Sequence, residues 1–426
     1  MLADKMDHPK LLITLTVVLS SLTAIAFGAD ISDAANVTRP CPCNNTAWCE
    51  RIPASKHKKE VYGFADSTGM NPSVYKLYDW KVLTTLAMWN FTDELICLAH
   101  ENGVKLHIVG EYPYEQLLNV TYRQQWISDI VKRLKHDFLD GINFDPEYPI
   151  AAGSPQRQAL VDLVNETKMA FNRELPGAQV VFDTAWATYC VDERCYDYKG
   201  LADASDYLFV MAYCLQGQVW GPCIAMSNAP YFRLIDGIRG FFNLGIPPSK
   251  LVLGLPLFGY DYPCDKLGDD NVCELPKATY HGAPCSDLVG TQVGIDLIVG
   301  SLQPNSTKNL WNQPGQSPQF NYINATGGIR QVHYDNEYSL LMKYLWTVSN
   351  DLRGVGYWHI GYLSNLNGTD ADNLRRKYWQ TIPTESNWDS YAMTAINKLA
   401  DQPKMETNFN SAPLSHNKAS QIDAKV

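Results

Sequence analysis

The chain has 426 residues, 46% hydrophobic and 19% charged, enough apolar material for a large core and a length that fits one barrel domain of about 200 to 400 residues. Its net charge of -10 argues against the basic surface that nucleic acid or an anionic membrane requires, so neither is expected as a partner. Aromatic residues reach 12%, with 11 Trp and 24 Tyr, a supply that in a cleft could stack on flat apolar faces such as sugar rings.

In chain order, Lys5 and Lys10 precede an apolar run from Leu11 to Phe27, which closes on Ala26-Phe27-Gly28. Charge, apolar run and small residues in that order predict a cleaved signal peptide over 1–28, with a membrane anchor as the rival reading. No later stretch is long and apolar enough to span a bilayer. Eleven cysteines suit an oxidising compartment. They lack CxxC pairs and His clusters, so disulfides are expected and a metal site is not. Their odd number leaves at least one thiol free or paired outside the chain. Eight N-x-S/T sites, at Asn36, Asn44, Asn90, Asn119, Asn165, Asn305, Asn324 and Asn367, agree with secretion.

Short β-rich runs then recur at 61–65, 82–88, 104–109, 140–145, 178–183, 207–212, 251–256 and 353–358. Between the third and fourth, Trp126, Ile127, Ile130, Val131, Leu134 and Phe138 recur at helical spacing. Similar patterns follow at 156–173, 228–244 and 336–350. Strands alternating with helices predict an α/β fold, and eight strands predict a (β/α)8 barrel, over 29–383. Residues 261–334 break the repeat; they carry cysteines and are rich in Gly, Pro and Asn, and a structureless loop of that length is uncommon. A disulfide-stapled insertion at the barrel mouth is expected there. Residues 384–426, polar and poor in aromatics, are expected to form a disordered tail.

The stretch DGINFDPE at 140–147 ends the fourth strand with Asn143, Asp145 and Glu147 on one face and Ile142, Phe144 and Pro146 on the other. In such barrels chemistry sits at the C-terminal strand ends. Asp183 and Trp186 arrive at the same rim after the fifth strand, Met211 and Tyr213 after the sixth, Tyr260 after the seventh, and Trp358 ends the eighth. Carboxylates two residues apart on one face lie about 7 Å apart at the backbone. One ionised acid then raises the pKa of the other, so one can donate a proton while its neighbour stays charged, as glycosidic cleavage requires. A Ca²⁺ site would need more oxygen ligands and a sharp Gly turn.

DGINFDPE resembles the DGxDxDxE signature of glycoside hydrolase family 18, the chitinase-like enzymes. MAYC at 211–214, GLPLFGY at 254–260 and GVGYW at 354–358 resemble further strand-end motifs of that family. RCYDYKG, NAPY, GYDYPC and HGAPCSD resemble its chitobiase-like, lysosomal branch. The resemblance implies Glu147 as general acid, Asp145 as the residue that orients the substrate acetamide, and Tyr213 as its hydrogen-bond donor. It places Trp358 under the reacting sugar and Asn143 in support of Asp145. Asp183, Trp186 and Met211 are the other expected substrate-binding residues. Asp140 falls off the inward face.

The reading is a retaining, substrate-assisted hydrolase of GlcNAc-β-1,4-GlcNAc, in N-glycan cores or chitin oligosaccharides, monomeric, without cofactor, lysosomal or else secreted. The alternative is a catalytically impaired lectin for GlcNAc oligosaccharides. Three departures bear on it. Asn143 stands where the family most often has Asp, Pro146 removes a backbone donor, and Cys214 replaces the Asp of MxYD. A Cys190–Cys214 disulfide at the rim is expected.

Overall fold

The computed structural model describes residues 39–366 and 370–400. In chain order its strands are β1 (Glu60–Phe64), β2 (Thr85–Met88), β3 (Lys105–Gly110), β4 (Gly141–Phe144), β5 (Gln179–Ala185), β6 (Tyr207–Met211), β7 (Leu251–Pro256) and β8 (Phe258–Pro263). They continue as β9 (Lys266–Leu267), β10 (Cys273–Glu274), β11 (Thr291–Gly294), β12 (Leu310–Asn312), β13 (Ser317–Ile323), β14 (Ile329–His333) and β15 (Gly354–Trp358). β1 to β7 and β15 form a closed parallel barrel, with β1 between β2 and β15. Each of the eight expected runs overlaps one of the barrel strands, with ends that differ by up to three residues. Helices at Val120–His136, Pro155–Glu174, Tyr231–Asn243 and Glu337–Ser349 fall where the apolar spacing places them.

The two side-chain rows of each strand build two cores. Residues such as Ile142, Phe144, Phe182 and Leu208 face outward under the helices, whereas Tyr62, Phe64, Val181, Phe209 and Val252 fill the barrel. Phe209 is fully buried at the centre, where a Cβ at Gly254 or Gly356 would come within 2.4 or 2.3 Å of its ring. Glycine at both positions leaves the space for that ring. At the N-terminal end Glu60 pairs with Lys105 at 2.7 Å, both fully buried, and with Arg353. Burial pushes the Glu60 carboxyl up, but Lys105 and Arg353 outweigh it and hold the group at about 2.

Asp140 belongs to that end too. Its carboxylate accepts from the backbone of Ile52 and Leu106 and from His100 Nε2, at 2.7 to 2.9 Å. It anchors the N-terminal segment, which is also clipped by Cys41–Cys49 and Cys43–Cys97. The gathering of Cys41, Cys43 and Cys49 sulfurs is therefore two disulfides rather than a thiolate metal cage.

The interrupting segment is itself a sheet. β11, β8, β14, β13 and β12 pair antiparallel in that order, starting at Phe258 immediately after β7, slightly earlier than the expected 261. Cys264–Cys273 closes a loop within it, and Cys223–Cys285 ties it to the segment after β6. The disordered tail expected over 384–426 is helical in part. Trp388–Ala400 forms a helix, with Trp388, Tyr391 and Ala395 buried at helical spacing against Glu337–Ser349. Lys59 lies 4.3 Å over the Trp388 ring, and the Tyr391 hydroxyl donates to the Thr381 carbonyl. Few aromatics suffice when they share one helix face. The expected signal peptide over 1–28 and the rest of the tail, 401–426, lie outside the described residues. No helix among the described residues is long and apolar enough to cross a membrane.

Candidate active site

β4 ends at Phe144, so Asp145 and Glu147 emerge just past the strand, on the C-terminal rim. There a cleft of about 350 Å³ opens, at the small end of ligand sites. Asp145, Glu147, Asp183, Trp186, Met211, Tyr213 and Trp358 all line it, as does Tyr260. Asn143 does not line the cleft. It is fully buried beneath it, and its side-chain amide donates to Asp183 Oδ1 at 2.7 Å, so its contact with the site runs through Asp183.

The acids are arranged as an unequal set. Burial, followed by the charge of Glu147, pushes the Asp145 carboxyl up to about 7, against the opposing pull of Arg194. Its Oδ1 is buried without a hydrogen-bond partner. Burial and then the nearby Asp145 raise Asp183 well above the usual carboxylate range. Like charges this close in a desolvated site cannot all ionise, so the Asp145–Asp183 pair retains a proton through the acidic range. Glu147 is more exposed and is paired at 2.9 Å with Arg194, itself buried and held from its other side by Asp192 at 2.9 Å. Burial, then Asp183 and Asp145, raise Tyr213 well above an ordinary phenol, so it stays a neutral hydroxyl. Trp358 packs against Phe64 and Trp89, at 5.5 and 6.2 Å between ring centres, and presents a fixed apolar surface.

Arg194 was not legible as a site residue. It sits in a short loop closed by Cys190–Cys195, in which Asp192 and Glu193 take left-handed backbone, φ 52° and 61°. That pairing corrects the expected Cys190–Cys214 disulfide. The loop turns back on itself within five residues, so Cys190 meets Cys195, and Cys214 remains a free thiol. The Cys214 backbone is also left-handed, φ 55°, with its N–H donating to Asn228 Oδ1 at 2.7 Å. Its sulfur accepts from the Tyr260 hydroxyl at 3.3 Å and lies 3.5 Å from Gln292 Nε2. Burial pushes the thiol up to about 12, so it is neutral here.

The insertion supplies a wall of the cleft through Phe258, Tyr260, Tyr280, Asp287, Leu288 and Gln292. Sequence reading places Tyr260 at the rim and leaves the others unassigned, because no strand periodicity connects them with the barrel ends.

The family model for glycosyl hydrolases family 18 matches residues 39–362. Di-N-acetylchitobiase of Rattus norvegicus is 38% identical over 343 residues, covering 80% of this chain and 92% of that protein. The Homo sapiens di-N-acetylchitobiase is 36% identical over 343 residues, 80% of this chain and 88% of that one. Probable di-N-acetylchitobiase 2 of Dictyostelium discoideum is 39% identical over 336 residues, 76% of this chain and 86% of its own length. Among solved structures, the family 18 chitinase of Cycas revoluta in complex with (GlcNAc)3 superposes with a TM-score of 0.60 at 19% identity, covering 76% of this chain and 99% of that one, a likeness of fold. The family match spans most of the chain, and the structure sets Asp145 and Glu147 at the rim of a (β/α)8 barrel; this protein belongs to glycosyl hydrolases family 18 and is a chitobiase-like glycosidase.

Proposed function

We propose that this protein hydrolyses GlcNAc-β-1,4-GlcNAc, in the chitobiose core of N-linked glycans or in chitin oligosaccharides, with retention of configuration. The observation that carries the reading is the proton-holding Asp145, with a free buried oxygen, beside Glu147, Tyr213 and Trp358 in one small cleft. In this reading the carbonyl oxygen of the substrate's acetamide attacks the anomeric carbon, forming an oxazolinium ring as the glycosidic C–O bond breaks. Glu147, supplied with a proton from the Asp145–Asp183 pair, delivers it to the leaving oxygen. Asp145, now ionised, accepts a hydrogen bond from the acetamide N–H and stabilises the positive ring, while Tyr213 donates to the acetamide oxygen. Glu147 then takes a proton from water as that water opens the ring, and the anomeric configuration is retained. Family 18 is among the substrate-assisted exceptions to the two-carboxylate scheme.

Trp358 would form the floor under the reacting sugar, with Trp186 and Met211 as apolar cleft contacts. The relatives' di-N-acetylchitobiase activity and the expected signal peptide support a lysosomal or secreted enzyme. The test is turnover of a free N-glycan core and of chitin oligomers at pH 5, followed by mass spectrometry for loss of one GlcNAc, with Glu147→Gln beside the wild type. Turnover that disappears in the variant is expected. Oligosaccharide binding by the wild type without any turnover would instead make the protein a lectin.

A further inference from the structure

Asp287 is a carboxyl that the proposed chemistry leaves unused. It is only 4% exposed, yet it lines the cleft together with Asp145, Glu147 and Trp358. Its Oδ2 is buried and accepts no hydrogen bond, and its Oδ1 has only the Ser286 hydroxyl at 3.4 Å, a long contact. Tyr260 lies near enough to favour its ionised form, but that phenol donates to Cys214 Sγ. A buried carboxyl oxygen without a donor carries a desolvation cost that folds seldom leave uncompensated.

The backbone around Asp287 is tightly held. Its N–H donates to the Gln216 carbonyl at 2.9 Å, and Val219 N–H donates to the Cys285 carbonyl at 2.9 Å. The Cys223–Cys285 disulfide sits two residues away. Three attachments therefore fix this stretch of the insertion to the segment following β6, in a place where its carboxyl has little to bond within the chain.

We infer that Asp287 is a specificity-determining residue, which hydrogen-bonds a hydroxyl or acetamide N–H of the sugar bound in the cleft. The inference rests on the proposed GlcNAc-oligosaccharide reading and adds to it a substrate contact from the insertion. Burial, then the charge of Asp192, push this carboxyl up to about 7, so in the acidic range it carries a proton and can both donate and accept. The titratable groups facing it are Asp192, Cys214, Tyr260, Tyr262 and Tyr280, and the tyrosines and the thiol stay neutral across that range. Beside it Leu288 is exposed and offers an apolar edge to the same ligand.

The experiment compares wild type, Asp287→Ala and Asp287→Asn as full chains at pH 5, with free chitotriose as the probe. It measures kcat and KM, and binding through tryptophan fluorescence, since Trp186 and Trp358 line the cleft. Asp287→Ala is expected to weaken binding and raise KM about tenfold or more, with kcat changed less than about threefold, the cost of one unpaired hydrogen bond. Asp287→Asn, which keeps a donor and an acceptor, is expected to stay within about threefold of wild type. Wild-type KM and binding in Asp287→Ala would overturn the inference. Wild-type binding without turnover would sink the hydrolase reading alone, and the binding arm would still decide the role of Asp287. A wild type that neither turns over nor binds chitotriose would overturn both. Should Asp287→Ala fail to fold, the wild-type to Asp287→Asn ratio of KM or Kd decides. A ratio that changes between pH 5 and pH 8 supports the contact, since only the aspartate titrates, and a flat ratio overturns it.

Discussion

Asp145 combines two properties that oppose each other. Its burial beside Glu147 suits proton storage, and the same burial penalises the folded state once the proton leaves. Its folded pKa, about 7, lies above the unfolded carboxylate value, so its contribution is fully present below about pH 4 and declines as pH rises toward 7. Asp145→Asn does not titrate. Its stability relative to wild type should therefore grow by about 1.4 kcal/mol per pH unit between about pH 4 and 7 and then level off, while turnover is lost. Thermal unfolding of both proteins from pH 5 to pH 8 measures this, and a constant difference would contradict it. Arg194 is tested separately. Arg194→Met removes the group that fixes Glu147 and should lower kcat by about tenfold or more with a smaller effect on KM, and Arg194→Lys should recover part of it. Cys214 makes a third residue-scale expectation. With its thiol pushed up to about 12, iodoacetamide at pH 8 should leave the native protein unmodified and label one cysteine after denaturation without reductant.

At the scale of elements, the loop closed by Cys190–Cys195 and the insertion act on the same cleft from different sides of the chain. The loop carries Asp192 and Arg194 to Glu147, and the insertion carries Tyr260, Asp287 and Gln292 to the ends of β4 and β6. Of these residues the sequence assigns only Tyr260 to the rim. RCYDYKG and HGAPCSD were visible as motifs, but an arginine or aspartate in a loop has no period that says where it points. The C-terminal helix was missed for a related reason. Average polarity suggested disorder, whereas three residues, Trp388, Tyr391 and Ala395, carry the buried face. Ending the chain at Thr384 should therefore lower the melting temperature by about 5 to 10 °C, since it removes the packing of Trp388 and Tyr391, worth several kcal/mol. A truncated chain that melts with the full one would show that the helix contributes nothing.

For the whole molecule, the charges are divided between the two ends of the barrel. The N-terminal end holds a paired network, in which Glu60 is kept ionised by Lys105 and Arg353 and Asp140 is saturated by three donors. The C-terminal rim collects carboxyls that burial holds protonated, Asp145, Asp183 and Asp287. Activity should accordingly decline as pH rises through about 7, when Asp145 loses its proton. A rate profile that peaks above pH 8 would rule out this use of the rim.

The chain's local periods determined the barrel by themselves. Alternation with period two and helical spacing are set by neighbours in sequence, so the eight strands and the row Asn143, Asp145, Glu147 could be read directly. The same logic brought Asp183, Tyr213 and Trp358 to one rim, because each lies within two residues of the C-terminal end of a barrel strand. Tertiary structure alone decided the pairings across long separations. Glu147 meets Arg194 from 47 residues away, Cys285 meets Cys223 across 62, and Cys190 chooses Cys195 over Cys214. Those choices depend on where loops fold back in space, and no period in the sequence records that.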